Sequence, residues 1–237
     1  MNMRPHIIES LDLPEGFAYL HELFPSMQWD ARYAGSQNFI GTSVAGYLEP
    51  AVVVSVPLAN ALAKAQDIFK SHEYEVVIYD SYRPQKAVEH FFRWSQDDHV
   101  DEVYAANYHP NLPKSMLFQN GYISQKSAHT RGCAIDMTLI YKGQKLKPME
   151  AFKRVKNDGQ VYTYFDDGTC DMGTHFDFLD EASHTESALV SESCLKLRCY
   201  FKDVMSQCGF DNYRKEWWHF QLVDEPFPGV YFDFDIQ

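Results

Sequence analysis

The chain has no paired cysteine motif, no long apolar run, no excess of basic charge and no internal repeat. Its five cysteines, Cys133, Cys170, Cys194, Cys199 and Cys208, are odd in number and include no C-x-x-C pair. That excludes a disulfide framework and a cysteine-ligated zinc, and fits free thiols in a reducing compartment. The densest apolar patch, Ala51 to Val56, is strand-sized, far short of a membrane span. Residues 1–16 turn acidic and proline-bearing before any apolar core of signal-peptide length forms, so a cytoplasmic location is expected. A formal net charge of −12 leaves no basic surface for nucleic acid or anionic membranes, and directs attention to small substrates.

Nothing reads as a linker or a low-complexity tract. The 237 residues are 45% apolar, enough material for one sizeable core that buries roughly 70% of the surface of the unfolded chain. A single domain over residues 1–237 is expected.

Periodicity supplies the elements. Leu58, Leu62, Ala65 and Phe69 form a helical stripe just after Pro57. Tyr74 to Tyr79 reads as a buried strand ended by Asp80-Ser81-Tyr82-Arg83-Pro84, and helical spacing resumes from Gln85 through Ala87, Phe91 and Trp94. Ser127 to Ile140 alternates as a strand, and Asn157-Asp158-Gly159 marks a hairpin turn within the excursion from Tyr141 to Cys170. Ser191 to Cys208 is a helix stopped by Gly209, and Trp217 to Val223 is the last strand. Strict βαβ alternation is missing. The expected class is therefore α+β, with a mostly antiparallel central sheet flanked by helices.

Two distant stretches carry chemistry. One runs from Ser127 to Asp136, and the other is Glu216-Trp217-Trp218-His219. His129, Asp136 and His219 would fill the three protein positions of a catalytic zinc, with Glu216 near enough to serve as a general base on its water. Each residue alone has a plainer reading: a satisfied histidine, a charge at a strand end, aromatic packing with polar ends. Their joint occurrence favours the metal. Strand parity adds a constraint, because His129 and Asp136 are seven positions apart and would point to opposite faces of a regular strand. Gly132 must interrupt it. Glu216 and His219, three apart, require Glu216 to precede the strand pairing.

The pattern Ser-x-His-x-x-Gly-x-Ala-x-Asp, followed some eighty residues later by Glu-x-Trp-His, resembles the signature of the zinc D-Ala-D-Ala metallopeptidases, and specifically the VanX-like D-alanyl-D-alanine dipeptidases. Further pieces fall in the same order: Trp29 to Tyr33, Asn38 to Gly41, Tyr82-Arg83-Pro84, Phe176 to Glu181, Asp224-Glu225-Pro226 and Tyr231 to Phe234. The resemblance runs from about Tyr19 to the C-terminus.

That resemblance implies a hedgehog/DD-peptidase-like fold, one Zn2+ per chain on His129, Asp136 and His219, and Glu216 as the catalytic base. It implies Arg83 as the group that polarises the scissile carbonyl, Tyr33 and Asp177 as holders of the substrate ammonium, and Ser127 as a contact to its carboxylate. On sequence alone, Arg83 also reads as a surface ion-pair residue, Asp177 as part of a solvated acidic face and Tyr33 as core. The implied partner is a small D,D-dipeptide, and a homo-oligomer is compatible with the family. Competing readings are a D,D-carboxypeptidase or L-Ala-D-Glu-type peptidase of the same fold, and a non-enzymatic zinc-binding module. Two departures from the pattern stand out. Cys133 occupies a slot where serine is commoner and raises the question of a fourth ligand. Residues 141–174 form a longer excursion than compact members have, which reads as a peripheral insertion.

Overall fold

The computed structural model describes residues 13–237. The expectation about a leader segment rests largely on residues 1–12 and lies outside them. In chain order the elements are β1 (Phe17–Tyr19), α1 (Leu20–Leu23), β2 (Gln28–Trp29), β3 (Val53–Ser55), α2 (Val56–Ser71), β4 (Tyr74–Asp80), α3 (Gln85–Gln96) and α4 (Glu102–Tyr108). They continue with β5 (Ala134–Tyr141), β6 (Glu150–Val155), β7 (Val161–Asp166), α5 (Glu192–Gln207), β8 (Phe210–Asn212) and β9 (His219–Leu222).

A five-stranded sheet in the order β2-β4-β5-β9-β8 forms the centre. The β2–β4 pair is parallel and the other pairs are antiparallel, as expected for the α+β class. Strand β5 is buried from Ala134 to Ile140, which accounts for its near-continuous apolar run. Helices α2 and α5 pack together, α2 against β4 and α5 against β8. At that junction the Phe201 ring meets Phe69 at 5.6 Å and Phe220 at 4.8 Å, both edge-on.

Local chemistry sets the helix ends. Ser55 caps α2 by accepting from the Leu58 N–H, and Pro57 sits in the first turn, where its missing N–H costs nothing. Ser191 caps α5 in the same way, and Gly209 beyond its end has φ 89°.

Two expectations need correction. The strand expected over Ser127 to Ile140 begins only at Ala134, because the Ser127 side chain accepts from the His129 N–H and residues 129–131 tighten into a 3₁₀ turn. The last strand is shorter than Trp217 to Val223, since the Glu216 carbonyl accepts from the His219 N–H and delays pairing until His219. The hairpin at 157–159 is present and joins β6 to β7. Along this ribbon β6 is exposed, whereas Tyr162 and Tyr164 of β7 are buried with Phe178, Val190 and Cys194.

Register across the sheet builds a row of polar residues. Asp80 at the end of β4 lies opposite Asp136 near the start of β5, past an irregularity at Ile78/Asp80. Asp136 in turn lies opposite His219 at the start of β9. Directly opposed residues share a face, so three strands deliver two carboxylates and an imidazole to one side.

Candidate metal centre

Gly132 decides how His129 reaches that row. At φ 67° it holds the left-handed conformation that turns the chain from the 3₁₀ turn into β5. A Cβ there would lie 2.7 Å from the Phe17 ring, so the position also demands close approach. The required interruption at Gly132 is therefore a left-handed turn, with His129 off the strand altogether.

His129 Nε2 lies 3.1 Å from His219 Nδ1 and 3.3 Å from Asp136 Oδ2, and His219 Nδ1 lies 3.0 Å from Asp136 Oδ1. His129 Nδ1 donates to the Ser81 carbonyl at 2.6 Å; a carbonyl only accepts, so Nδ1 carries a proton and Nε2 is the nitrogen that faces the other two donors. For a tetrahedral zinc with bonds of about 2.0–2.1 Å, ligand atoms stand about 3.3 Å apart. The three donors present that spacing and that chemistry, and together they form a group able to hold a metal ion. Cys133 is not among them: its buried thiol donates to the Ala128 carbonyl at 3.3 Å, and burial pushes its pKa up to about 12.

All eight residues singled out in the sequence line one cavity of about 670 Å³. Glu216 is buried in the turn before β9, its carboxylate 3.9 Å from His219 Nδ1. Burial, reinforced by the negative charges of Asp136 and Asp177, raises its pKa well above the ordinary carboxylate range. Asp177 is buried too, accepts a 2.9 Å hydrogen bond from the Tyr33 hydroxyl, and is pushed up to about 8 by burial and then by Asp136. Ser127 is buried beside His129.

Arg83 is no surface ion-pair residue. It is buried, with its guanidinium over the Tyr33 and Phe91 rings at 5.2 and 5.5 Å. Its Nε donates to Asp80 at 2.9 Å, and its terminal nitrogen lies 2.8 Å from Asp80 and 3.3 Å from Asp136. Asp80 also accepts from the Tyr47 hydroxyl at 2.8 Å and lies 3.6 Å from His129 Nδ1.

The sequence reading passed over Asp80, Tyr47 and the Ser81 carbonyl. For Asp80 a signal existed: an acid that ends a buried apolar strand three residues before an arginine needs a partner. Tyr47 and a backbone carbonyl carry no comparable mark.

Three potential ligands, a buried acid and a buried guanidinium around one cavity constitute the parts of a hydrolytic site. The class is a peptidase. The chain belongs to peptidase family M15, whose model, described as D-ala-D-ala dipeptidase, matches residues 14–150 and 160–237. It is 33% identical over 222 residues to a D-alanyl-D-alanine dipeptidase of Enterococcus faecium, covering 94% of this chain and 98% of the relative. It is 34% identical over 220 residues to one from Streptomyces coelicolor, covering 93% and 98%. A third, from Escherichia coli, is 26% identical over 202 residues, covering 84% and 81%.

Proposed function

We propose that this chain hydrolyses the free D-alanyl-D-alanine dipeptide, or a close D,D-dipeptide, using one zinc ion held by His129, Asp136 and His219. The observation that carries the reading is the triad of donors 3.0–3.3 Å apart, sharing one cavity with Glu216, Arg83 and Asp177. A zinc ion bound there supplies Lewis acidity and lowers the pKa of a water toward neutrality.

The protein's own groups do the rest. Glu216 in its ionised form, with a proton affinity raised by burial, takes a proton as water attacks and returns it to the leaving amine. Arg83, clamped by Asp80, keeps a permanent positive charge where an oxyanion develops. Asp177 and Tyr33 receive the substrate ammonium, and burial makes that contact strong because no water competes. Ser127 receives the carboxylate. Anchoring both termini selects a dipeptide, since an acylated nitrogen brings no charge to Asp177. The relatives named D-alanyl-D-alanine dipeptidase support the same substrate. Among the described residues no helix is long and apolar enough to cross a membrane, and the five cysteines are free, which suits a reducing compartment.

Metal analysis of purified protein alongside D-Ala-D-Ala turnover tests this. One zinc per chain, activity lost to a chelator and restored by zinc, and a fall of about 10²–10⁴-fold in Glu216→Gln with zinc retained are expected. Turnover indifferent to the chelator would overturn it.

A further inference from the structure

The segment Asp224-Glu225-Pro226 stood out in the sequence and received no role in the site. In the structure Glu225 meets Arg131 in a two-pronged contact, with Arg131 Nε 2.9 Å from Glu225 Oε2 and the terminal nitrogen 2.5 Å from Oε1. Gln221 Nε2 donates to the same Oε1 at 3.0 Å, and Gln221 lies on β9 two residues beyond His219. The remaining terminal nitrogen of Arg131 donates to the Ser127 carbonyl at 3.2 Å and to the Lys126 carbonyl and Tyr231 hydroxyl at 3.4 Å. The guanidinium also lies 5.4 Å from the centre of the Tyr231 ring. All three guanidinium nitrogens are therefore committed within the protein. Although Arg131 lines the cavity, it has no free fork to offer a ligand.

Its leverage falls on Ser127. The Ser127 carbonyl is held by Arg131, while its hydroxyl oxygen accepts from the His129 N–H at 3.2 Å. With backbone and oxygen both held, the hydroxyl proton is the part of Ser127 left free to turn towards a ligand and donate. The Glu225–Gln221 link ties that setting to β9. We propose that Arg131, locked by Glu225, is a positioning residue that aims the Ser127 hydroxyl at the substrate carboxylate and so sets preference for a free C-terminus. This rests on the reading of Ser127 under the proposed function. A bidentate arginine–carboxylate contact fixes direction as well as distance, which a lysine in its place does not.

The test uses zinc-loaded, full-length protein with D-Ala-D-Ala and its C-terminal amide, which lacks the carboxylate. The wild type first reports on Ser127: equal KM for acid and amide defeats the reading of the carboxylate site, whatever Arg131 does. Given a wild-type preference for the acid, Arg131→Met is expected to raise KM for the acid about tenfold, with kcat within about twofold and amide kinetics unchanged. Arg131→Lys should fall between. Glu225→Gln should shift KM the same way, and the double variant should be no worse than Arg131→Met alone, because the two act as one unit. Losses equal for acid and amide, or a fall in kcat at constant KM, would overturn the proposal. If Arg131→Met does not fold, Arg131→Lys and Glu225→Gln decide it by the same split.

Discussion

Tyr33 donates a 2.9 Å hydrogen bond to Asp177 across 144 positions of chain, joining the 3₁₀ turn after β2 to a loop residue held at φ 63°. A buried acid in a left-handed backbone conformation is doubly disfavoured, by lost solvation and by backbone strain. Such a position points to a use for the carboxylate that offsets both.

Asp177→Asn should separate stability from function. In the ligand-free, metal-free protein Asp177 is pushed up to about 8, above its ordinary value of 3.8. Between those values the native state holds a proton that the unfolded chain releases, so Asp177 costs stability progressively as pH rises through this window. Asparagine keeps an acceptor for Tyr33, tolerates positive φ and removes that cost. Thermal unfolding at pH 5 and pH 8 should show the variant gaining on the wild type at pH 8, by about 2–4 °C for each kcal/mol recovered. Dipeptide turnover should collapse in the same variant. Parallel pH slopes for the two proteins would contradict the assignment.

Gly132→Ala should be costly twice over. Position 132 needs φ 67°, and the added Cβ would press on Phe17, which is itself wedged among Tyr82, Phe227, Phe232 and Phe234. A loss of about 1–3 kcal/mol in unfolding free energy is expected, with weaker zinc binding because the turn carries His129. Denaturant titration together with a metal competition assay checks both. Wild-type zinc affinity in a destabilised variant would separate the turn from the site.

His175 predicts acid sensitivity away from the His129–Asp136–His219 cluster. Its ring is buried among Tyr108, Tyr164, Phe165 and Phe178, and among the described residues neither ring nitrogen has a hydrogen-bond partner. Burial, and then the charge of Arg32, lowers its pKa from 6.5 to about 3. Below pH 6.5 the unfolded chain binds a proton that the native state refuses, so stability falls as pH drops from 6.5 towards 3. His175→Phe should flatten that slope, read as unfolding midpoints across the window. An unchanged slope would mean that other groups set the acid limit.

Strands and helices were legible where burial and period agree. The run from Tyr74 to Tyr79 reads as a strand because nearly every side chain is apolar, and β4 is buried from Val76 to Asp80. Helix α5 was legible from Leu197, Phe201, Val204 and Cys208, yet the same helix buries Arg198, which no hydrophobic pattern marks. That guanidinium is satisfied by the carbonyls of Met172, Ala182 and His184, groups that a sequence does not place. The stretch from Ser127 to Cys133 alternates like a strand but is bent by a side-chain-to-backbone bond and by Gly132. Of the eight residues that line the cavity, His129, Asp136, Glu216 and His219 were marked by type and spacing, whereas Arg83, Tyr33, Ser127 and Asp177 were marked only by the family resemblance. The supporting shell was less legible, because Asp80 and Tyr47 act through partners set by the fold.

Asp80→Asn tests that shell. Asp80 clamps Arg83 through two nitrogens and lies beside the proton-bearing nitrogen of His129. Replacing the carboxylate weakens the aim of both, and a loss of about 10–100-fold in kcat or zinc affinity is expected. Steady-state kinetics with metal analysis reads it. Unchanged kinetics would reduce Asp80 to a charge balance for Arg83.

As proposed, Asp177 receives a free ammonium within a zinc-dependent peptidase site. The most direct measurement is the hydrolysis rate of D-Ala-D-Ala against N-acetyl-D-Ala-D-Ala by the zinc-loaded protein. Cleavage of the free dipeptide, with the acetylated one slower by at least about 10²-fold, is the expected result, since acetylation removes the positive charge that Asp177 is placed to meet. Cleavage of the acetylated peptide as fast as the free one would contradict it, and would point instead to a carboxypeptidase that needs no ammonium anchor.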